Sequence, residues 1–274
     1  MGVGTCSGST SITAPGGRYS AALVPHVHQG TCGGAGAEAY FSFTLSATSD
    51  VFLTTHMSSP INTVLYVRRD NCTGTQVGCS TDADGRTTST LRLTSLAAGT
   101  YNVFVDTVSG VTSGTVTLDA YISAPGTASD RCGNPTFIAA GTSSLTGNIV
   151  GFANDYVPAP GGDCTQGARG ERVFYFYLPT ARSVTVNGCA SSPYLYDQVI
   201  YVRNVCSDGS AAAQAVCNDD DGCGGSPSFC NSGRYNSAFT QTLGPGLYYF
   251  FVDGYLVGNA CDTMGDYSFT ITGL

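Results

Sequence analysis

Alternation with a period of two runs through most of the chain. Phe41, Phe43 and Leu45 fall on one face of an extended segment, and Tyr40, Ser42 and Thr44 on the other. Val103 and Val105 alternate with Asn102 and Phe104, and Leu91, Leu93 and Leu96 recur before Gly99. From Tyr248 to Val252 the run is apolar throughout, as in a strand covered on both faces. β-Branched and aromatic residues fill these runs, and Gly, Asn, Asp and Ser clusters separate them. No stretch keeps a helical period beyond about two turns. Many short strands with turn residues between them predict an antiparallel β-sandwich or jelly roll.

The pattern occurs twice. Val64-Leu65-Tyr66-Val67-Arg68 is answered by Val199-Ile200-Tyr201-Val202-Arg203, and Phe41–Leu45 by Phe174–Leu178. Gly99-Thr100-Tyr101 leading to Asp106 is answered by Gly246-Leu247-Tyr248 leading to Asp253. Cys6, Cys32, Cys72 and Cys79 match Cys132, Cys164, Cys206 and Cys217 in order, with an offset that mostly grows, as insertions in the second copy would cause. The expected organisation is all-β: two tandem, disulfide-stapled antiparallel jelly-roll sandwiches over 1–123 and 130–274, joined by a turn-rich linker at 124–129.

The twelve cysteines fall four in the first copy and eight in the second, both even counts, and include no C-x-x-C, which favours disulfides over zinc thiolates and an oxidising compartment. The second copy adds Cys189, Cys223, Cys230 and Cys261. Four cysteines permit three connectivities and eight permit 105. The repeat suggests local staples: Cys6–Cys32, Cys72–Cys79, Cys132–Cys164, Cys206–Cys217 and Cys223–Cys230, with Cys189–Cys261 as the remainder.

Charged residues make up only 11%, lysine and tryptophan are absent, and the net charge is −8. Nothing forms the basic stripe that nucleic acid or an anionic membrane surface would require. No apolar run approaches the roughly 20 residues of a membrane helix, so no membrane insertion is expected. The opening residues have neither a basic start nor an apolar core of a leader, so the chain reads as the mature part of an exported protein.

The sharpest candidate chemistry lies in two acidic loops. Cys217-Asn218-Asp219-Asp220-Asp221-Gly222-Cys223 is echoed by Cys79-Ser80-Thr81-Asp82-Ala83-Asp84-Gly85. Ca²⁺ takes six to eight hard oxygens, and such loops supply several. The expected ligands are Asn218, Asp219, Asp220 and Asp221 with Asp197 or Asp253 in the second copy, and Asp82, Asp84 and Asp106 in the first. Ser80-x-Asp82-x-Asp84-Gly85 imitates the start of an EF-hand loop, but Leu91 stands where its bidentate Glu should be. A solvated turn in which Asp side chains bond nearby amides is the alternative.

Glu38 and Glu171, the only glutamates, both precede matched strands, which is a framework position and not an acid–base pair. His26-x-His28 could hold Zn²⁺ or Cu²⁺, with no counterpart in copy two. No Gly-x-Ser-x-Gly elbow, P-loop or dinucleotide fingerprint occurs. Tyr194, Tyr196, Tyr235 and Tyr255 could form a glycan- or protein-binding surface. Asn71-Cys72-Thr73 is a glycosylation sequon.

The strings Asp197–Arg203, Cys217–Asp220 and Pro245–Gly254, and more loosely Asn62–Arg68, Asp82, Gly99–Tyr101 and Val105–Asp106, resemble the bacterial pre-peptidase C-terminal (PPC) domain. The resemblance implies a jelly-roll sandwich, secretion, a non-catalytic role beside secreted enzymes and, in some members, bound calcium. The expected function is that of a secreted, calcium-stabilised, non-catalytic surface protein. Its expected partner is a protein or glycan at the cell surface, or copies of itself. A subunit of an extracellular fibre or sheath, and an accessory region of a secreted hydrolase, are the other readings.

Overall fold

A computed structural model describes residues 6, 8–159, 164, 167, 169–189, 197–220, 236–255 and 264–274. The chain divides into two compact units, one of Met1–Gly126 with Cys132–Asn134, the other of Thr127–Arg131 with Pro135–Leu274.

The first unit holds β1 (Thr10–Ser11), β2 (Gly16–Ala22), β3 (Ala39–Leu45), β4 (Ser49–Thr54), β5 (Thr63–Arg69), β6 (Gln76–Thr81), β7 (Thr90–Leu96), β8 (Gly99–Thr107) and β9 (Thr115–Ser123). They form one sheet in the order β1-β3-β8-β5-β6 and another in the order β2-β9-β4-β7. All pairings are antiparallel except β1 with β3. The pairs β2–β9, β3–β8, β4–β7 and β5–β6 are compatible with a jelly roll. Phe41, Phe43, Leu65, Val67, Val103 and Val105 of one sheet meet Val51, Leu53, Val116, Leu118 and Ala120 of the other in one core, as the alternation predicts.

In the second unit the strands are β10 (Thr136–Phe137), β11 (Ser144–Asn148), β12 (Arg172–Leu178), β13 (Arg182–Asn187), β14 (Gln198–Arg203), β15 (Gln214–Asp219), β16 (Ala238–Leu243), β17 (Gly246–Gly254) and β18 (Asp266–Thr272). Their orders, β10-β12-β17-β14-β15 and β11-β18-β13-β16, repeat those of the first unit strand for strand. Phe174, Phe176, Ile200, Val202, Phe250 and Val252 pack against Val184, Val186, Phe239, Phe269 and Ile271. Every residue of β17 is buried, as expected of a strand covered on both faces.

The second covering layer in the first unit is a strap formed by residues 23–38. Val64, Tyr66 and Phe104 point away from the main core and make a smaller one with Cys72, packed by Cys6, Cys32, Tyr40 and Cys79. The strap is hydrogen-bonded down to the sheet through Ala35 N and Gly36 N to Thr107 O, at 3.1 and 2.9 Å. Gly30 lies so close to the Tyr66 ring that a Cβ there would sit 2.6 Å from Cδ1.

This layer overturns the local-staple expectation. The disulfides are Cys6–Cys72 and Cys32–Cys79 in the first unit and Cys164–Cys217 in the second. Cys6–Cys32, Cys72–Cys79, Cys132–Cys164 and Cys206–Cys217 are therefore not formed. Cys132 and Cys206 are disulfide-bonded, as is Cys189. Cys223, Cys230 and Cys261 lie outside the described residues, so Cys223–Cys230 and Cys189–Cys261 do too. The reason is register. Cys79 is paired with Tyr66, and Cys217 with Tyr201, so each sulfur sits beside its tyrosine on the outer face. There it meets a cysteine of the covering segment, not one of its own hairpin. Closures spanning 47, 53 and 66 residues are each worth roughly 4 kcal/mol in the chain-entropy model.

Candidate functional site

Two clusters of acidic side chains are candidate metal centres, one in each unit, at different places in the shared framework.

In the second unit Asp197 immediately precedes β14 and Asp219 ends β15. Antiparallel pairing of Val199 with Asp219 brings the two acids to the same end of the hairpin. Asp220 follows with φ +60°, a left-handed turn that Asp tolerates better than most residues. One carboxylate oxygen from each of the three lies within 4.8 Å of the others. Asp197 and Asp219 are buried and Asp220 is half-buried. At such spacing three ionised carboxylates repel by about 3 kcal/mol per pair at an effective dielectric of about 20, so the arrangement favours a cation or a proton. Burial first, then the carboxylates of Asp219, Asp197 and Asp220, push the Tyr255 phenol up.

Of the other expected residues of this unit, Asp253 lies in a different group, and Asn218 is engaged with the backbone. Asn218 Oδ1 accepts from Ala238 N at 2.7 Å. Asp253 Oδ1 accepts from Gly254 N at 2.6 Å and Arg169 N at 3.2 Å. Asp221 lies outside the described residues, as do Tyr194, Tyr196 and Tyr235.

The matching corner of the first unit is built differently. Asn62, Thr81 and Asp82 stand where the second unit has Asp197, Asp219 and Asp220. Asp82 keeps the left-handed turn (φ +48°) but is exposed. Asp84 Oδ2 accepts from His56 Nε2 at 2.9 Å and Thr90 Oγ1 at 3.1 Å, and His56 is wholly buried with Nδ1 2.7 Å from Thr88 Oγ1. Asp106, also expected at this loop, belongs to another constellation.

That constellation is a buried carboxylate pair, repeated in both units. Glu38, just before β3, lies beside Asp106 of β8 because Ala39 pairs with Val105. Both are 0% exposed. Glu38 Oε1 accepts from Val27 N (2.6 Å), His28 N (3.0 Å) and Tyr40 OH (2.5 Å), clasping the strap. Asp106 Oδ1 accepts from Thr107 N at 2.7 Å, while Oδ2 faces His26 Nδ1 at 3.6 Å. Burial pushes the Asp106 carboxyl up to about 7, against the lowering pull of Thr107 N and His26. Glu38 Oε2, Asp106 Oδ2 and Tyr66 OH are buried and make no hydrogen bond. Burial, then the two carboxylates, drive the Tyr66 phenol far above its ordinary range.

In the second unit Glu171 accepts from Asp155 N at 2.9 Å and Tyr156 N at 3.2 Å, the same clasp on two successive amides. Burial and then Asp253 raise Glu171 to about 9, and burial raises Asp253 well above its ordinary value. Tyr201 stacks on Phe251 as Tyr66 does on Phe104, with ring centroids 4.5 and 4.6 Å apart. Arg203 and Arg68 cap these stacks and donate to the carbonyls of Cys206 and Cys72 respectively. The framework reading of the two glutamates agrees with this geometry. What sequence reasoning missed is that His26 faces Asp106. The signal was present in the repeat: both acids recur, and only the first copy adds histidines nearby.

Among the described residues no helix is long and apolar enough to cross a membrane. No family model matches the chain, and no curated protein matches it. Among solved structures it is similar to the pre-peptidase C-terminal domain of a collagenase from Bacillus anthracis, at 16% identity over 51% of this chain and 95% of that one, with a TM-score of 0.29. Broad bean stain virus gives 11% identity over 98% and 92%, TM-score 0.25. The M60 catalytic domain with two CBM51 domains from Clostridium perfringens ZmpB gives 9% over 87% and 34%, TM-score 0.20. Scores this low do not establish a common fold, and the all-β, two-sheet description of each unit rests on its own strands and cores.

Proposed function

We propose that this chain is a secreted, non-catalytic surface protein of two PPC-like jelly-roll sandwiches, in which Asp197, Asp219 and Asp220 hold a structural Ca²⁺ in the second unit. It works by binding a protein or glycan at the cell surface, or further copies of itself. The observation that carries this reading is how the repeated buried polar residues are used. Glu38 and Glu171 clasp backbone amides, Asp106 and Asp253 accept from backbone amides, and Arg68 and Arg203 donate to backbone carbonyls. The glutamate clasps, with the matched bonds of Arg68 to Gln29 O and Arg203 to Val157 O, hold covering segments onto sheets in both units. The disulfides between those segments and the sheets support secretion, since they persist in oxidising compartments.

Calcium suits the second-unit cluster because all three donors are hard oxygens, and water and backbone carbonyls can complete the shell. Thermal melts of the intact oxidised chain in calcium and in chelator test it. A ligand held only by the native state raises the midpoint, by about 1.4 kcal/mol of stability at tenfold its Kd. Asp219→Asn with Asp220→Asn should abolish that gain, and an unchanged midpoint in millimolar calcium would refute the ion. For the wider reading, the chain is screened against extracellular glycans and proteins and its self-association measured by sedimentation. Turnover of a peptide, ester or glycoside substrate that is lost on Glu38→Gln or Glu171→Gln would overturn the non-catalytic assignment.

A further inference from the structure

The carboxylate pair of the first unit carries a second inference, separate from the calcium cluster. Two wholly buried acids face each other at the end of β8, and each leaves one oxygen, Glu38 Oε2 and Asp106 Oδ2, without a hydrogen bond. A buried acceptor left unsatisfied is costly, so a partner for both atoms is called for. Gly34, at φ +94°, keeps the approach to Asp106 clear, since a Cβ there would collide with Oδ2. From the solvent side His26 presents Nδ1, and one donor atom each from His26, Glu38 and Asp106 falls within 4.8 Å of the others.

We propose that His26, Glu38 and Asp106 form a binding site for one divalent transition-metal ion of the zinc type. The donor set, one imidazole nitrogen and two carboxylate oxygens, is the intermediate-softness mixture that zinc takes and calcium does not. The spacing agrees. A tetrahedral site with bonds of about 2.1 Å has ligand–ligand edges of about 3.4 Å, and Nδ1 of His26 is already 3.6 Å from Asp106 Oδ2. Of the three, His26 also lines a surface hollow of about 290 Å³, with Pro25, Ala37, Val111 and Thr112, which gives solvent access to the imidazole side of the site. His28 is not a ligand: its Nδ1 lies 3.3 Å from both Glu38 Oε1 and Tyr40 OH. The Val27–His28 amides that Glu38 clasps correspond to those of Asp155–Tyr156, so Asn154 stands where the first unit has His26. The second unit therefore has the acid pair without the imidazole, a control within the same chain.

The test is calorimetric titration of ZnCl2 into the tag-free, oxidised 274-residue chain near neutral pH, with Co²⁺ absorption as a second readout. One equivalent is expected, together with visible cobalt bands of four-coordinate intensity, neither displaced by millimolar Ca²⁺. His26 is partly exposed and donates to no buried backbone group, so His26→Ala should fold normally, weaken zinc roughly tenfold or more and erase the cobalt bands. Glu171→Gln, and Asp219→Asn with Asp220→Asn, should leave zinc affinity unchanged. Absence of binding, wild-type affinity in His26→Ala, or loss of binding in either second-unit variant would overturn the assignment.

Discussion

The two units share a strand order and a set of buried polar residues, yet they concentrate charge at different corners. In the first, the matching corner has lost two of its three acids, with Asn62 and Thr81 at the positions of Asp197 and Asp219, while the acid pair under the strap has gained an imidazole. In the second, Asp197, Asp219 and Asp220 crowd one end of the β14–β15 hairpin, and the pair Glu171–Asp253 lacks an imidazole of the His26 kind. The difference separates what the framework requires from what each copy has added. Clasping two amides with a buried glutamate is common to both units and belongs to the fold. The extra Asp residues and the extra His are local, and they are the donors on which the two proposed cation sites rest.

Removing a covering-layer disulfide should have the largest effect and should not distinguish the units. Cys32→Ser with Cys79→Ser, and Cys164→Ser with Cys217→Ser, close loops of similar span, so each should cost about 4 kcal/mol. Hydrogen-exchange mass spectrometry, which resolves each unit, checks this. A loss confined to one unit would show that the matched staples do different jobs.

The arginines capping the tyrosine stacks should break the symmetry. Arg203 is 1% exposed and donates to Val157 O and Cys206 O. Arg68 makes the matched bonds to Gln29 O and Cys72 O from a half-buried position. Arg203→Ala should cost about 3 kcal/mol and Arg68→Ala about 1 kcal/mol, because solvent can replace more of what the second loses. Denaturation curves of the two variants test the ordering, and equal losses would contradict it.

A smaller effect concerns pH. Burial and Asp253 raise Glu171 from 4.5 to about 9 in the folded chain, so the fold prefers its protonated form. That stabilisation is complete below about pH 4.5 and is lost progressively as the pH rises toward about 9. Glu171→Gln keeps an oxygen for Asp155 N and Tyr156 N but cannot ionise. It should stabilise the second unit by about 2 kcal/mol at pH 8 and flatten its stability between pH 5 and about 9. Melting against pH checks the slope, and an unchanged slope would show that another group sets it.

Much of this was legible in the sequence, for a definite reason. Alternation in Phe41–Leu45 and continuous apolarity in Tyr248–Val252 report which faces are buried, and burial is written residue by residue. Glu38 and Glu171 were readable as framework because they recur before matched strands. The disulfide partners were not readable. Cys79 joins Cys32 because strand register turns it to the outer face where a distant strap crosses, and neither register nor the strap's path is a local property. The acidic side chains divide in the same way. Asp219 and Asp220 are neighbours in the chain, but Asp253 belongs with Glu171 and Asp106 with Glu38 and His26.

By itself, then, the sequence determined the all-β class, the repetition and the oxidised cysteines, because period, spacing and composition act through nearest neighbours. Only the tertiary structure decided which buried oxygens face one another. That depends on strand pairing between residues far apart along the chain, such as Ala39 with Val105. Contacts of that kind follow from how the sheets close, which no window of sequence contains.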